Sequence, residues 1–357
     1  MKQTIVIITD YVSFDESSVK TGCGGSETWA IEISKQFAKN GYHVIMFTLN
    51  PIWHFSENNI EYVPISQIDY VLSFTHVDYF IVSRYIFSIT LNVINKYVNN
   101  NLYWIAHDTV ICIDNKAITD ENFNTFPILK NHLQKIVCMS DFGKALLQYI
   151  HHIPENYLEI IGNGLVIDTF NDLPVFERDN NLFWSSRNER GLQQLMDKIF
   201  PRLKQEIPDL KVYVAQYENK LPENLLNNPD LVFLGRLGKR ELYEELSKHK
   251  VWFYPNSFPE TFCISVLEAA LCDNEIVMPY NFGPITTFKY FRHLLLPFKD
   301  ISSDEQYDFV AREILNKIKN YSDINRIQIR QTIKNYITIE YNWENIYNQF
   351  KEKILVK

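Results

Sequence analysis

Short apolar runs alternate with amphipathic stretches along almost the whole chain of 357 residues. The first half contains the strand-like runs TIVIITD, YHVIMFTL, DYVLSF, LYWIAHD and KIVCMS, with helix-like stretches such as SETWAIEISKQFAKNG between them. Apolar strands that alternate with helices predict a parallel sheet covered by helices on both faces. The pattern therefore restricts the chain to the α/β class.

The alternation starts again after Asn163-Gly164, which indicates a second domain. Its strand-like runs are NLFWSS, KVYVAQ, LVFLG, VWFYP and EIVMP, and its helix-like stretches include GLQQLMDKIFPRLKQEIP and KRELYEELSKH. A chain of this length exceeds one ordinary hydrophobic core. We therefore predict two doubly wound, Rossmann-like domains with a cleft between them.

Composition and cysteine usage favour a reduced compartment. Apolar residues make up 46% of the chain and charged residues 22%, which is typical of a soluble globular protein. The five cysteines stand singly, without the spacing of metal ligands, and most lie in apolar runs. Reduced, buried thiols and a cytoplasmic location are the expectation.

Neither the N-terminus nor any apolar run predicts membrane insertion or export. Met1-Lys2 leads directly into a short run that is typical of a first buried strand and too brief for a signal peptide. The longest lipid-like stretch, VDYFIVSRYIFSITLNVINKYV, is interrupted by Asp78, Arg84, Asn92 and Asn95. Such residues are costly in hydrocarbon, so a buried or amphipathic helix is favoured there.

The charge balance argues against a nucleic-acid partner. The formal net charge is −8, whereas nucleic-acid binding calls for a basic face. Residues 1–165 hold 10 Lys and Arg against 16 Asp and Glu, so the first half is a poor match for an anionic membrane. A local basic patch and a weak peripheral membrane contact stay open.

The segment FPETFCISVLEAALC, residues 258 to 272, follows the strand-like run VWFYP and holds two carboxylates, Glu260 and Glu268. A helix is predicted from about Thr261 onwards, so this loop and helix leave the carboxyl end of a strand, where doubly wound sheets bind ligands. Continuous helical spacing would separate the two acids by about 12 Å, with directions about 80° apart. They could then flank one elongated ligand.

The start of this helix predicts an anion site between the two acids. The backbone N–H groups of Phe262, Cys263 and Ile264 would lack intrahelical partners and suit a phosphate. Glu260 and Glu268 would accept hydrogen bonds from sugar and ribose hydroxyls on either side. The alternative is that Glu260 only complements the helix dipole and that Glu268 is solvated.

Gly24-Gly25, before the helix-like SETWAIEI, would let the backbone approach an anion closely. The alternative is a turn with Ser26 and Glu27 as capping residues. A dinucleotide fingerprint that begins at Gly22 is excluded, because Glu27 replaces its third glycine and the loop lies well beyond the strand.

Basic residues and a histidine lie at two further predicted strand ends. Arg187 and Arg190 follow NLFWSS, and their guanidinium groups could bind a diphosphate. His107 precedes Asp108 at the end of another apolar run. Unplaced surface charges are the alternative for the arginines, and a structural histidine is the alternative for His107. The cysteines and histidines form no pattern of a metal site or of a Ser/His/Asp or Cys/His nucleophile.

Taken together, these segments resemble retaining glycosyltransferases of the GT-B fold, most of all glycosyltransferase family 4. PETFCISVLE resembles the E-x7-E segment of that family, and the other matching segments follow in the family's order nearly from end to end. They are Gly24-Gly25-Ser26-Glu27, Ile105-Ala106-His107-Asp108, Met139-Ser140-Asp141-Phe142, Gly162-Asn163-Gly164 and Ser185 to Leu192. Arg190, directly before Gly191, matches the position where the family places a Lys or Arg. The family's other basic residue usually lies nearer the strand end, so the spacing between Arg187 and Arg190 is shorter than in the family.

The resemblance implies transfer of a sugar from a nucleotide-diphosphate sugar with retention at the anomeric carbon. Arg187, Arg190 and the amides at 262–264 would stabilise the departing diphosphate, and Glu260 would position the donor sugar. It further implies that His107 lies near the reacting bond and that Glu268 binds the ribose. Base contacts would come from the loop of Gly235 and Leu237. No metal and no cofactor are expected.

The resemblance also implies the domain roles and the partners. Residues 1–164, joined by a C-terminal helix at 343–357, would bind the acceptor, and residues 165–342 would bind the nucleotide sugar. A glycan, a lipid-linked sugar or a protein-linked sugar is the expected acceptor. Two alternatives stay open, a sugar-nucleotide epimerase or phosphorylase of the same fold and a binding protein without turnover.

Overall fold

The chain forms two compact units, each with its own parallel sheet. The computed structural model describes residues 2–119, 131–216, 221–256 and 258–355. Unit 1 comprises Met1–Ser18, Gly24–Gly164 and Trp343–Lys357, and unit 2 comprises Val19–Cys23 and Leu165–Asn342.

Unit 1 contains, among its described residues, an eight-stranded sheet of order β10-β9-β6-β5-β1-β2-β4-β3 and a separate hairpin of β7 and β8. All neighbours in the sheet are parallel except the edge pair β3 and β4. The strands are β1 Thr4–Thr9, β2 His43–Thr48, β3 His54–Phe55, β4 Glu61–Pro64, β5 Tyr79–Ser83, β6 Leu102–Ala106, β7 Cys112–Ile113, β8 Lys116–Ala117, β9 Leu133–Cys138 and β10 Leu158–Ile160.

Helices cover this sheet. After the short helix α1 Ser18–Thr21, most of which belongs to unit 2, they are α2 Gly25–Lys39, α3 Ile68–Leu72, α4 Ser88–Tyr97 and α5 Asp141–Tyr149. The C-terminal segment adds a helix at Trp343–Phe350 followed by a π-helical turn, Lys351–Leu355. All six residues of β1 are buried, as expected for a strand with helices on both faces.

Two sequence predictions in unit 1 are wrong. DYVLSF, predicted as a strand, contains helix α3, in which Ile68, Val71 and Leu72 form one buried face at helical spacing. The stretch VDYFIVSRYIFSITLNVINKYV, predicted as one helix, contains strand β5 and then helix α4. The five residues of β5 are all buried, and such a short apolar run has no periodicity that distinguishes a strand from a helix.

Unit 2 contains a five-stranded parallel sheet of order β13-β12-β11-β14-β15 in the part of the chain that is described. The strands are β11 Asp179–Trp184, β12 Val212–Ala215, β13 Leu231–Gly235, β14 His249–Phe253 and β15 Glu275–Val277. The chain moves outward from β11 through β12 to β13 and then returns to β14 on the other side. β11 and β14 therefore form a topological switch point, where such sheets bind ligands.

The helices of unit 2 are α6 Asp168–Asn171, α7 Leu192–Gln194, α8 Phe200–Glu206, α9 Glu223–Leu226, α10 Lys239–Leu246, α11 Ile264–Leu271, α12 Pro284–Thr287, α13 Asp304–Lys319 and α14 Ile324–Glu340. A π-helical turn, Leu195–Ile199, joins α7 to α8. No helix within the described residues combines the length and the apolar character needed to cross a bilayer.

Candidate functional site

The switch point of unit 2 brings together the loops that follow β11 and β14. The strands are in register at Phe183 and Trp252, so both chains leave at the same edge of the sheet. The β11 loop carries Arg187 and Arg190, and the β14 loop carries Glu260. Ser257 of the β14 loop lies outside the described residues.

Arg190 and Glu260 form an ion pair across these two loops. Nη1 of Arg190 donates to Oε1 of Glu260, and the hydroxyl of Tyr254 donates to the same oxygen at 3.1 Å. The guanidinium carbon of Arg190 lies 4.4 Å from the centre of the Phe258 ring. Burial opposes the charge of the guanidinium, but Glu260 together with Tyr254 and Cys263 outweighs burial and raises the pKa of Arg190. The pair is a fixed cation beside a fixed carboxylate.

The loop after β11 turns at Gly191 so that Arg190 reaches this position. Gly191 has φ +119°, and an added Cβ would lie 2.7 Å from Cγ of Pro255. Both the backbone angle and the close approach therefore need glycine. The side chain of Arg187 is 54% exposed and lies 3.9 Å from Glu189. A cavity of about 360 Å³ borders Gly191 and Pro255 at this edge of the sheet.

Helix α11 begins at Ile264, three residues later than predicted. Cys263 precedes it with φ +67°, a left-handed backbone that cannot belong to an α-helix. The unpaired N–H groups of the first turn thus start at Ile264, and Phe262 and Cys263 lie before the helix. Glu260 is not a helical residue, so the continuous helix from which its separation and angle to Glu268 were predicted does not exist.

A glycine that the sequence analysis missed supports the loop of Glu260. The backbone N–H of Gly283 donates to the carbonyl oxygen of Glu260 at 2.8 Å. A Cβ on Gly283 would lie 2.5 Å from that oxygen and would also collide with the backbone of Thr261. No local pattern around Gly283 indicates this role, because the contact joins segments of unit 2 that are distant in sequence.

Glu268 is buried inside unit 2 and is held by two donors. Its exposure is 3%, which rules out the solvated alternative. Nζ of Lys239, the first residue of α10, lies 2.5 Å from Oε1 of Glu268, and the hydroxyl of Tyr243 donates to the same oxygen at 2.9 Å. The sequence analysis missed both partners, although a lysine directly after the predicted nucleotide loop was a usable signal.

The loop after β13, which holds Gly235 and Leu237, packs against the short segment Val19–Cys23 of the same unit. Gly235 has φ +73°, and Arg236 donates through Nη2 to the carbonyl oxygen of Gly22. An added Cβ on Gly22 would lie 2.6 Å from the carbonyl oxygen of Leu237. Contacts with these residues therefore fix the backbone of the predicted base loop.

In unit 1, Gly24 is the N-cap residue of α2, which begins at Gly25. Glu27 is buried in the first turn and accepts a hydrogen bond from Oγ of Ser26 at 3.2 Å. No side-chain oxygen caps the helix at Gly24. A Cβ added to Gly24 would collide with Oε2 of Glu27, so the start of α2 carries a buried carboxylate against this glycine.

His107 follows β6 and lies at the carboxyl edge of the unit 1 sheet. Its Nε2 is 3.1 Å from Oγ of Ser83, and its ring meets the Trp29 ring edge-on at 5.5 Å. Burial lowers the pKa of His107 to about 4, opposed by the carboxylate of Asp108. The imidazole is therefore neutral near pH 7. Within the described residues, no group of three or more His, Cys, Asp and Glu side chains could hold a metal ion.

Comparison with known proteins points to glycosyltransferases. No protein-family model matches the chain. The lipopolysaccharide 1,2-N-acetylglucosaminetransferase of Salmonella typhimurium is 23% identical over 381 residues, which cover 93% of this chain and 94% of that protein.

Solved structures superpose on nearly the whole chain. A glycosyltransferase from Rickettsia africae has a TM-score of 0.73 at 14% identity, with 99% of both chains covered. HepE of Anabaena, solved in complex with UDP-glucose, has a TM-score of 0.67 at 14% identity, again with 99% of both chains covered. The predicted GT-B fold is confirmed, as is the resemblance to glycosyltransferases.

Proposed function

We propose that the chain is a retaining glycosyltransferase that moves a hexosyl group from a UDP- or GDP-sugar to a hydroxyl of a glycan or of a lipid-linked or protein-linked sugar. The observation that carries the proposal is the Arg190–Glu260 pair at the switch point of unit 2, followed by helix α11 and the buried Glu268. The cation and the helix amides suit a diphosphate, and the carboxylate of Glu268 suits a ribose. The diphosphate and the ribose follow one another in this order along a nucleotide sugar.

Arg190 would bind the diphosphate and stabilise the charge that develops on it, and Arg187 would supply a second, more exposed cation. Glu260, already held by Tyr254, would accept hydrogen bonds from hydroxyls of the donor sugar. The N–H groups at the start of α11 would hold phosphate oxygens. Arg190 would thus exchange part of its contact with Glu260 for the ligand.

The reaction breaks the bond between the anomeric carbon and the diphosphate oxygen and forms a bond from the acceptor oxygen to the same face of that carbon. The acceptor proton passes to the leaving diphosphate, so no protein nucleophile is required. Catalysis would rest on charge stabilisation and alignment, which need no catalytic metal.

The remaining predicted residues take supporting roles in this proposal. Glu268 would bind ribose hydroxyls, and the backbone at Gly235 and Leu237 would contact the base. Gly24, Gly25 and His107 of unit 1 would contact donor phosphate and sugar. Residues 1–164 with 343–357 would serve as the acceptor domain, and residues 165–342 as the donor domain.

The similar proteins support a UDP-sugar donor and a glycan acceptor. HepE was solved with UDP-glucose, and the Salmonella relative is named as an N-acetylglucosaminetransferase of lipopolysaccharide. A UDP-sugar as donor and a lipopolysaccharide glycan as acceptor are accordingly the first substrates to try.

The first test is thermal unfolding with UDP-, GDP-, ADP- and dTDP-sugars in the presence of EDTA. A ligand at 100 times its Kd adds about 2.7 kcal/mol to the free energy of unfolding, so the midpoint should rise with one nucleotide class. Glu268→Gln and Arg190→Lys should reduce that rise, whereas Arg312→Lys, at an exposed position on α13, should not. No rise with any nucleotide sugar would contradict the proposal.

The second test separates transfer from its alternatives. With the donor so identified, nucleotide release should depend on a sugar acceptor, and NMR of the product should show the anomeric configuration of the donor. Isomerisation of the donor without acceptor would identify an epimerase, and dependence on inorganic phosphate would identify a phosphorylase. Binding without turnover across an acceptor panel would favour the non-catalytic alternative.

A further inference from the structure

The sheet of unit 1 has its own topological switch point, between β1 and β5. From β1 the chain proceeds to β2 and β4 on one side, and β5, β6 and β9 follow on the other. The carboxyl ends at this point carry Tyr11 after β1, then Arg84 and Tyr85 after β5. Asp108 follows β6, the next strand along. Open α/β sheets bind ligands at such a position.

The backbone of Arg84 is held in a conformation that few residues adopt. Its φ is +84°, in the left-handed region. Its N–H donates to the carbonyl oxygen of Ile105 at 3.0 Å, and Nε1 of Trp104 donates to its carbonyl oxygen at 3.0 Å. Backbone strain of this kind persists where the surroundings enforce it, and it concentrates at ligand-binding sites.

The side chain of Arg84 is equally fixed. Nε and Nη2 donate to the two carboxylate oxygens of Asp108, at 2.7 and 3.2 Å. The guanidinium carbon lies 5.2 Å from the ring centre of Tyr11 and 4.9 Å from that of Tyr85. The side chains of Arg84 and Asp108 are 31% and 29% exposed, so a ligand can reach both.

Asp108 accepts from only two of the five guanidinium N–H groups of Arg84. The neighbouring Tyr85 side chain also hydrogen-bonds with the pair, and the guanidinium has more N–H groups than these contacts use. The carboxylate of Asp108 can accept further hydrogen bonds, because each of its oxygens has more than one lone pair. The exposed part of the pair thus offers donors beside acceptors, which matches two adjacent hydroxyl groups.

The charges around the pair disfavour an anionic ligand. Asp108 already neutralises Arg84, and the buried Glu27 of α2 adds a carboxylate beside Tyr11, whose ring packs on Arg84. A phosphate or carboxylate would meet net repulsion there. A neutral, hydroxyl-rich ligand would not.

We propose that Arg84 and Asp108 bind two adjacent hydroxyls of a neutral sugar, the saccharide that accepts the transferred group. The site adjoins His107, because Ser83 and Arg84 contact His107 and Asp108 side by side across β5 and β6. That the bound sugar is the acceptor rests on the proposed function, whereas the binding itself does not.

Saturation-transfer NMR on the full chain tests the site with methyl α-D-glucopyranoside and glucose 6-phosphate as probes. The glycoside should give a transfer signal with the wild type. Arg84→Asn and Arg84→Lys should each weaken its binding by about tenfold or more, because hydrogen bonds to a charged fork are lost. Asn tolerates the left-handed backbone, so Arg84→Asn should fold normally. Arg312→Lys, at an exposed position on α13, is the control.

UDP titrations of the same samples keep the two proposals separable. UDP binding by unit 2 should be unchanged in the Arg84 variants. Glycoside binding that is absent from the wild type or indifferent to Arg84, or a preference for glucose 6-phosphate, would overturn the site. Glycoside binding that depends on Arg84 in a protein that binds no nucleotide would leave this site standing and overturn the proposed function.

Discussion

Nζ of Lys239 lies 2.5 Å from Oε1 of Glu268, and both side chains are largely withdrawn from solvent, at 16% and 5% exposure. Glu268 is the acid that the resemblance assigns to the ribose. Its charge is therefore balanced inside unit 2 without a ligand, and Lys239 together with Tyr243 sets the position of the carboxylate.

Lys239→Ala should destabilise the protein by about 3 kcal/mol, because it leaves a buried carboxylate without its cation. Calorimetry should show a lower midpoint, partly restored when Glu268→Gln is added. Lys96→Ala is the control, since Lys96 pairs with Asp69 at 2.8 Å on the open surface. Equal midpoints for Lys239→Ala and Lys96→Ala would show that the buried ion pair contributes no more to stability than the surface pair.

Gly283→Ala should displace the loop of Glu260 and with it the Arg190–Glu260 pair. The added methyl group would lie 2.5 Å from the carbonyl oxygen of Glu260, where only backbone can yield. A shift of about 1 Å at a reacting centre costs about 100-fold in rate, so nucleotide-sugar turnover should fall by that order.

Gly143→Ala is the matched control for Gly283→Ala. Gly143 lies in helix α5, and the nearest atom to an added Cβ is 3.8 Å away. This change should leave turnover intact and stabilise the helix by up to about 1 kcal/mol. Full activity of Gly283→Ala would mean that the loop of Glu260 does not need its close contact with Gly283.

The contribution of His249 to stability should depend on pH. Nδ1 of this buried side chain lies 2.7 Å from Asp179, and Nε2 lies 3.5 Å from Glu245. Burial opposes its charge, but the hydrogen bond to Asp179 and the ion pair with Glu245 prevail and raise the pKa of His249. The interaction with His249 also lowers the pKa of Glu245, and it lowers the pKa of Asp179 against the effect of burial.

A raised histidine pKa gives stability that is complete below the unfolded value of about 6.5 and is lost as pH rises through the folded value. The lowered carboxyl pKa values give stability that is lost on acidification, below about pH 4. The midpoint difference between wild type and His249→Gln should thus be largest near pH 5.5 and smaller at pH 8. His76→Gln, at a side chain that is 90% exposed, is the control. A difference that does not vary with pH would contradict the charged network.

His107 should change the pH dependence of stability in the opposite direction to His249. Burial lowers the pKa of His107 to about 4, below the unfolded value of about 6.5. Between these values the unfolded chain binds more protons, so stability falls as pH falls from about 6.5. Between pH 7 and pH 5, the thermal midpoint of His107→Gln should therefore fall less than that of the wild type. NMR of the imidazole should show no titration above pH 5, and a titration near 6.5 would contradict this account.

The fold class could be predicted from the sequence because the alternation of apolar strands and helices is visible in local patterns. Strands β1, β2 and β6, for example, lie within predicted runs. Local pattern failed where burial decides the element, at β5 and α3, because tertiary packing selects between a short buried strand and a helix there. It also failed at the start of α11, where the left-handed Cys263 delays the helix.

The residue types of the candidate site were readable, since Arg190, Glu260, Glu268 and His107 stand at predicted strand ends or on a predicted helix. Their partners were not readable. Lys239 lies 29 residues from Glu268, and Arg190 lies 70 residues from Glu260. Such pairs are set by strand order, which places loops from separate segments at one edge of a sheet.

By itself, then, the sequence determined two parallel α/β sheets, the identity of the polar groups at their carboxyl ends and the resemblance to GT-B glycosyltransferases. Only the tertiary structure decided which of those groups neutralise one another, that Glu268 is buried, and that Arg84 is clamped beside His107. The physical reason is range: hydrophobic periodicity is a property of neighbours along the chain, whereas charge pairing and desolvation depend on neighbours in space.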